Sequence, residues 1–334
     1  MRRELAEKAI GVLRRENVIN ASLKIKRVEG FIVIPVLDAE RAVRALAEAG
    51  VEAELAEEEF ETAPQKPRPL SEVSPRVSSF SLVGDIAVFS WRSGVELEEY
   101  ELAARELLRQ QPRVKAAFLK TETWGELRVQ KLVHLAGENR TVTAHREYGL
   151  VFHVDIARVY FNPRLSTEHR RIAEESSGDD IVLDMFAGVG GYAIHIASLK
   201  PARVVASDLN EIAVYYLAKN VAANKRALRG SVTPLRLDAS LAPLVLKPVF
   251  TRLILDHPTA SRYFVGEACR LAARDAIVHV YVRAASCREA LEDLYSRLAR
   301  CCRRVEELYC REVLEYAPGV SVYNATFSAS GLQA

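Results

Sequence analysis

Apolar residues recur along this chain with two different periods, and the changes of period mark its predicted elements. Helical spacing predicts a helix over residues 3–15, and the apolar runs that follow predict a pair of strands. Asp38 is a capping residue in front of a second predicted helix over residues 39–49. These elements predict a small α+β domain over residues 1–62. Residues 63–76 hold four prolines and show no periodicity, which predicts a linker.

A second α+β domain is predicted over residues 77–158. Two apolar runs broken at Gly84-Asp85 predict strands, and the spacing over residues 97–110 predicts a helix. Residues 121–129 are predicted as a loop. The segments V-K-A-A-F-L-K, T-V-T-A-H-R-E and L-V-F-H-V-D-I on either side of it have the alternation of strands.

From residue 159 to the end at residue 334, predicted strands and helices alternate, which indicates an α/β domain with a doubly wound sheet. Four successive apolar runs each end in an acid, and these are Asp184, Asp208, Asp238 and Asp256. The later predicted elements are a helix over 259–273, a strand over 275–282, a helix over 287–299 and a closing antiparallel pair. Because ligands bind beyond the carboxyl ends of such strands, the four acids predict a site along one sheet edge.

A glycine-rich turn follows the first of these strands, in the segment I-V-L-D-M-F-A-G-V-G-G from Ile181 to Gly191. Glycines let the backbone pass close to a ligand, and the helix that follows offers free N–H groups. The spacing is not the G-x-G-x-x-G of dinucleotide-binding proteins. An acid at the strand end followed by D-x-F-x-G-x-G is typical of class I methyltransferases, which bind S-adenosylmethionine.

Composition and charge add few constraints. The chain of 334 residues is 49% hydrophobic and 27% charged, an ordinary globular composition with a formal charge of only +2. That charge neither requires nor excludes a nucleic acid partner. No apolar stretch approaches a membrane span and no signal peptide is apparent, so we expect a cytoplasmic protein without a membrane partner.

The cysteines lie in the last quarter of the chain. They are Cys269, Cys287, Cys301, Cys302 and Cys310. None forms a C-x-x-C pair, so we expect buried thiols and no metal site.

Three blocks together resemble the archaeal and eukaryotic tRNA (guanine-N1)-methyltransferases that modify position 37, a class I family with wyosine-pathway relatives. The blocks are V-D-I-A-R-V-Y-F-N-P-R-L-S-T-E-H-R, D-M-F-A-G-V-G with S-D-L-N-E-I-A-V, and Y-A-P-G-V-S-V-Y-N-A. The resemblance extends over nearly the whole chain. It implies a class I, Rossmann-like methyltransferase domain over residues 159–334, after a middle domain and an amino-terminal domain of the archaeal type.

The resemblance assigns catalytic roles to four residues. Guanine N1 must lose a proton as it attacks the sulfonium methyl group, which requires a base near N1 and a donor near O6. By its place in the motif, Glu168 resembles the family's base, and Arg128 in G-E-L-R-V resembles its O6-stabilising arginine. Asp256 and Pro258 occupy the family's N-L-P stretch against the target guanine. Without the motif, Glu168 would be a first-turn helix acid and Arg128 a surface residue.

The same resemblance implies binding roles. Asp208 is expected to hold the ribose hydroxyls and Asp238 the adenine amino group. The other residues expected at the cofactor are Asp184, Phe186, Ala187, Gly188, Gly190, Leu209 and Ala239. Tyr160, Pro163 and Arg164 are expected to shape the entry for the substrate, or else to pack where domains meet.

The sequence departs from the family pattern at two places. Gly191 stands where most members have a proline after the second glycine of the turn. Asp256-His257-Pro258 stands where the family has N-L-P, so an acid replaces an asparagine.

Three functions remain open at this point. The first is methyl transfer to N1 of guanosine 37, with tRNA bound at the anticodon loop and at the elbow through the amino-terminal domain, by a monomer. The second is a wyosine-pathway enzyme that transfers the aminocarboxypropyl group or methylates the tricyclic base. The third is a catalytically silent tRNA-binding protein, which the change at Asp256 allows.

Overall fold

The computed structural model describes residues 5–28, 30–62, 70–77, 79–124 and 129–332. The chain separates into two compact units, Met1–Pro69 and Leu70–Ala334. Half of the predicted linker, residues 63–69, lies outside the described residues, and the part from Leu70 to Val73 forms one helical turn. No described helix combines the length and the apolar character needed to cross a membrane.

The first unit has the α+β composition that its pattern predicts. Its elements are α1 (Ala6–Arg15), β1 (Lys26–Val28), β2 (Phe31–Val33) and α2 (Ala39–Glu48). The strands pair antiparallel, and the carboxylate of Asp38 accepts a hydrogen bond from the backbone N–H of Arg41 at 3.0 Å, as a helix cap does. Ala9, Leu13 and Leu46 pack in a core of its own.

The second unit begins with a small mixed sheet beside a hairpin. Its first elements are α3 (Leu70–Val73), β3 (Phe80–Val83), β4 (Ile86–Ser90), α4 (Leu97–Gln110), β5 (Ala116–Trp124), β6 (Val129–Gly137), β7 (Val142–Glu147) and β8 (Leu150–Asp155). Strands β3 to β6 form one sheet in chain order, and β7 pairs with β8. The loop predicted over residues 121–129 is wrong at both ends, because β5 continues to Trp124 and pairs there with Val129 of β6. Residues 125–128 lie outside the described residues.

The rest of the second unit is the predicted α/β domain. Its elements are α5 (Ser166–Glu175), β9 (Ile181–Asp184), α6 (Gly191–Leu199), β10 (Arg203–Asp208), α7 (Glu211–Ala223), β11 (Ser231–Arg236), α8 (Ala242–Val245), β12 (Phe250–Leu255), α9 (Val265–Leu271), β13 (Ala272–Ala284), α10 (Cys287–Leu298), β14 (Cys302–Ala317) and β15 (Val320–Leu332). Among the described residues the sheet has seven strands, in the order β11-β10-β9-β12-β13-β15-β14. Strands β9 to β13 run parallel, and β15 is antiparallel to both its neighbours. This confirms the Rossmann-like fold class.

The helix predicted over residues 259–273 is shorter than expected. The hydroxyl of Ser261 accepts from the backbone N–H of His257 and donates to the carbonyl of Leu255, which holds a turn at this point. Helix α9 therefore starts at Val265 and gives way to β13 at Ala272.

Asn220 of α7 and Asn224, which caps the carboxyl end of that helix, bind the free edge of β8. The amide of Asn220 accepts from the backbone N–H of His153 at 2.7 Å and donates to its carbonyl at 3.0 Å. Asn224 makes the same two contacts with Val151, at 2.9 and 2.8 Å. The helix thus takes the place of a neighbouring strand, because i and i+4 on a helix match alternate residues on a strand. This joins the hairpin to the α/β domain.

The expectation of free thiols is wrong for four of the five cysteines. Cys269 is bonded to Cys301 and Cys287 to Cys310, as disulfides between elements that are 32 and 23 residues apart in sequence. Cys302 keeps a thiol, buried 3.5 Å from the sulfur of Cys269. The pairing follows from the packing of α10 against α9 and β14, which cysteine spacing alone does not reveal.

Candidate active site

The glycine turn between β9 and α6 has the backbone that its sequence predicts. Gly188 and Gly190 have φ angles of 52° and 100°, a region that residues with side chains rarely adopt. A Cβ atom on Gly190 would lie 2.5 Å from a methyl carbon of Leu217, so this position also requires glycine for packing. The backbone N–H of Gly188 donates to the carboxylate of Asp208 at 2.8 Å. The turn is therefore fixed to the end of the next strand.

A cavity of about 300 Å³ opens at this turn, along the carboxyl ends of β9 to β12. Eight residues predicted from the sequence line it, and these are Tyr160, Phe186, Gly188, Asp208, Leu209, Asp238, Ala239 and Asp256. The lining residues that the sequence did not single out are Val159, Met185, Asn210, Ala213, Leu237, His257, Thr259, Ala260 and Phe264. Most of these are chain neighbours of predicted residues. They could have been predicted from their positions next to the strand-end acids.

Asp208 and Asp238 have their carboxylates at the cavity with acceptor capacity to spare. Asp208 accepts from the backbone N–H groups of Gly188 and Asn210, both at 2.8 Å. Burial raises the pKa of Asp208, and these two hydrogen bonds oppose the rise. Asp238 accepts from the backbone and hydroxyl of Ser240 at 2.9 and 2.8 Å. A carboxylate can accept about four hydrogen bonds, so both can also receive ligand donors.

Asp184 lies behind the cavity wall rather than in it. Its side chain is 0% exposed, and neither carboxylate oxygen has a hydrogen-bond partner among the described residues. Burial raises the pKa of Asp184 well above its usual range, and the negative charges of Asp256 and Asp208 raise it further. A cation in the cavity would favour the ionised form of this carboxyl.

Glu168 is buried beneath the site and does not line the cavity. Its carboxylate accepts from the hydroxyl of Tyr281 at 2.7 Å and from two nitrogens of Arg171 at 2.5 and 2.8 Å. Tyr192 lies near it, and burial together with the charges of Asp256, Glu168 and Asp184 raises the pKa of Tyr192. The acid at the motif position is thus held in one orientation between two buried tyrosines and an arginine.

The residue after Glu168 explains one departure from the family pattern. His169 makes a 3.0 Å contact with the buried carboxylate of Glu147, which also contacts His195 at 3.1 Å. Burial opposes ionisation of Glu147, but the hydrogen bonds from both histidines lower its pKa to about 2. A Cβ atom at Gly191 would lie 2.5 Å from the ring of His169. The imidazole therefore occupies the space that a proline ring at this position would need.

The remaining predicted residues are placed as follows. Asp256 is half-buried at the cavity, and Pro258 is buried with its carbonyl accepting from the backbone N–H of Arg283 at 3.1 Å. Pro163 begins a short turn of 3-10 helix in front of α5, and Arg164 is exposed. Ala187 and Gly190 belong to the turn without lining the cavity. Arg128 lies outside the described residues.

Comparison with known proteins relates this geometry to a family. Residues 143–309 match the TRM5/TYW2 methyltransferase domain, and residues 2–51 match the tRNA methyltransferase 5 N-terminal domain. The chain is 31% identical to the tRNA (guanine(37)-N(1))-methyltransferase Trm5b of Methanocaldococcus jannaschii, over 81% of each chain. It is 32% identical to the tRNA 4-demethylwyosine(37)-methyltransferase Taw21 of Saccharolobus solfataricus, over 60% of this chain and 76% of that one.

Among solved structures, the chain is similar to the complex of aTrm5 with tRNALeu. The TM-score is 0.84 at 28% identity, and the match covers 99% of this chain and 98% of the other. The chain belongs to the TRM5/TYW2 methyltransferase family.

Proposed function

We propose that this chain transfers a methyl group from S-adenosylmethionine to N1 of guanosine 37 in tRNA. The main support for this proposal is that two features of the chain lie at one cavity. A glycine turn with strand-end carboxylates lies on one side, and the Asp256–Pro258 turn lies on the other. A relative that is similar over four-fifths of its length bears the name of this activity.

The cavity residues fit the cofactor. Small-molecule sites typically enclose about 300–1,000 Å³, and this cavity of about 300 Å³ lies at the lower end of that range. Asp208 and Asp238 can accept from ribose hydroxyls and an adenine amino group. S-adenosylmethionine, when bound, supplies an electrophilic methyl group on a sulfonium.

The residues of the chain then provide the proton chemistry. Glu168 takes the N1 proton of guanine, and the fixed guanidinium of Arg171 balances the carboxylate's charge before transfer. Asp256 lines the cavity and can accept from the N2–H₂ group of guanine, which leaves the N1 proton for Glu168. We retain Arg128 as the donor to O6 on the strength of its motif.

Mass analysis of modified tRNA tests the proposal. Unmodified tRNA would be incubated with isotopically labelled cofactor and digested to nucleosides, with a transcript carrying adenosine at position 37 as control. We expect one labelled 1-methylguanosine per guanosine-37 transcript and no label in the control. Transfer of the larger aminocarboxypropyl group would contradict the proposal, and so would the absence of any transfer, which indicates a silent binder.

One observation favours a second candidate, methylation of a wyosine precursor at the same position. The similarity to Taw21 extends over 60% of this chain, and Asp256 replaces the asparagine expected for guanine recognition. Parallel reactions with tRNA that carries the tricyclic base and with guanosine-37 tRNA would distinguish the two functions. Preferential labelling of the tricyclic base would assign the wyosine pathway.

We also propose how the substrate is held. The unit Met1–Pro69 matches a tRNA methyltransferase N-terminal domain and contains none of the cavity residues, so we assign it to docking at the tRNA elbow. The middle and methyltransferase segments, residues 77–158 and 159–334, then bind the anticodon loop. We expect the protein to act as a cytoplasmic monomer, and size-exclusion chromatography with light scattering would test its oligomeric state.

A further inference from the structure

The end of β13 lies directly beside the D-H-P turn of the candidate active site. The backbone N–H of Arg283 donates to the carbonyl of Pro258 at 3.1 Å. A guanidinium nitrogen of Arg262 donates to the carbonyl of Arg283 at 2.9 Å. His257 and Thr259 line the cavity, and Pro258 lies between them in the chain. Arg283 is therefore hydrogen-bonded to a residue whose two chain neighbours form part of the cavity wall.

The two arginines at this place differ in how their charge is compensated. Arg262 forms an ion pair with Asp293 at 3.2 Å. Arg283 is half-buried, and no carboxylate of the described residues forms an ion pair with it. A guanidinium that is always charged and lacks an acidic partner is suited to bind an anion, such as a phosphate.

The side chain of Tyr316 holds this guanidinium. The central carbon of Arg283 lies 4.8 Å from the centre of the Tyr316 ring, which is a cation–π contact. The pairing of β14 with β15 shifts register between Glu315 and Ala317, so Tyr316 occupies a β-bulge. Bulges redirect side chains and are frequent beside active sites.

This redirection explains how Tyr316 reaches a strand that is not its neighbour. Strand β15 lies between β13 and β14, and Val322 of β15 pairs with both Arg283 and Leu314. Tyr316 follows Leu314 by two residues and remains 46% exposed while it contacts Arg283. Its segment, Y-A-P-G-V, is part of a block that has no role in the chemistry described above.

We propose that Arg283 binds a phosphate of the tRNA strand next to the nucleotide that enters the active site, with Tyr316 as its positioning residue. The inference rests on the proposed function, since it takes tRNA as the substrate. A base that enters the cavity must leave the stack of its loop, and the flanking backbone then passes the rim of the cavity. The stacked guanidinium keeps its N–H edge available for that backbone, because the ring covers only its face.

Binding of a guanosine-37 tRNA transcript at several salt concentrations tests the proposal. Arg283→Gln should weaken binding roughly ten- to a hundredfold, as loss of a charge-assisted contact does. It should also reduce the slope of log affinity against log salt by about 0.7–0.9, the contribution of one phosphate. Tyr316→Ala should produce part of both effects, while Tyr316→Phe keeps the ring and should bind like the wild type. S-adenosylmethionine affinity should be unchanged in all three.

Arg303→Gln is the matched control, because Arg303 is an exposed arginine near the opposite end of β14. It should leave both the affinity and the salt slope unchanged. If Arg283→Gln and Arg303→Gln give the same slope, or if Tyr316→Phe is as impaired as Tyr316→Ala, the proposal is wrong. The readout is independent of catalysis, so a wild-type protein that binds tRNA without methylating it would overturn the proposed function and not this phosphate site.

Discussion

At the scale of single residues, Asp208 links the glycine turn to ligand binding. Its carboxylate accepts two backbone hydrogen bonds and borders the cavity. Asp208→Ala therefore has two effects, because it removes a charged acceptor for the ligand and also removes the hydrogen bond that holds Gly188. We expect the variant to bind S-adenosylmethionine about 1.5–3 kcal/mol more weakly, the usual cost of a lost charged hydrogen bond. Calorimetry would measure this, with the exposed Asp275→Ala as control. Equal affinities for the two variants would remove Asp208 from the cofactor site.

A substitution at Glu168 should affect the rate of methyl transfer and not the binding of the cofactor. Glu168→Gln retains the shape and a hydrogen-bond acceptor for Tyr281 but cannot take the N1 proton. We expect single-turnover methyl transfer to fall by roughly 10²–10⁴ while cofactor affinity is nearly unchanged. Glu174→Gln, an exposed residue of the same helix that pairs with Arg170, is the control. Transfer at the wild-type rate would move the base elsewhere, and Asp256 would be the next candidate.

Asp256 is expected to set the pH dependence. Its negative charge adds to burial in raising the pKa of Asp184. Asp256→Asn removes that charge, so the pKa of Asp184 should fall and its ionised form should persist to lower pH. A cationic sulfonium is held better beside an ionised Asp184, so the acidic limb of the pH–rate profile should move to lower pH. The preference for guanosine over inosine should narrow, because inosine lacks the N2 amino group that Asp256 is proposed to recognise. An unmoved profile with an unchanged guanosine-to-inosine ratio would mean that Asp256 acts only as a structural strand-end acid.

The sequence located the strand-end acids because they follow a local pattern, an apolar run that stops at a carboxylate. It could not show the surroundings of Glu168, since Tyr281 lies 113 residues away and meets it only through packing. The same limit applies to the ring of His169 against Gly191. The roles assigned to Glu168, Arg128 and Asp256 remain predictions from the motif.

At the scale of elements, helix α7 carries the contacts that hold the hairpin. Asn220→Ala would leave the backbone N–H and carbonyl of His153 without partners, and also the carbonyl of Val189 in the glycine turn. Buried groups that lose a partner cost about 1–3 kcal/mol each, so we expect the free energy of unfolding to fall by at least that amount. Denaturant unfolding would measure it. Lys219→Ala, at an exposed neighbouring position, should change stability by less than about 0.5 kcal/mol.

Helices and strands with a clear period were predicted well from sequence, and α4 has the predicted limits. The failures occur where non-local contacts override the period. Pairing with β6 extends β5 into the predicted loop, and the Ser261 turn shortens the helix predicted from residue 259. Neither the helical nor the strand period predicts the contacts of Asn220 and Asn224, because these contacts depend on a strand that lies about 70 residues earlier in the chain.

At the scale of the whole molecule, the chemistry and the proposed docking function reside in different units. The cavity and its carboxylates belong to Leu70–Ala334, and Met1–Pro69 has a separate apolar core. When two linked modules bind one ligand, the second contact is made at high effective concentration, and its loss weakens binding strongly without changing the first module. The two units should therefore be separable by truncation.

Removing residues 1–69 should leave S-adenosylmethionine affinity unchanged and weaken the binding of whole tRNA by roughly 10²-fold at physiological salt. A stem-loop that contains only the anticodon arm gives the decisive comparison, because it lacks the elbow. The full chain and the truncated chain should bind this stem-loop equally, and only the full chain should gain affinity when the elbow is restored. Thermal unfolding with and without cofactor would verify that the truncated chain is folded. If a folded truncated chain binds whole tRNA as tightly as the full chain, the amino-terminal unit does not dock the tRNA. If it also loses affinity for the stem-loop, the unit contributes to the anticodon site itself.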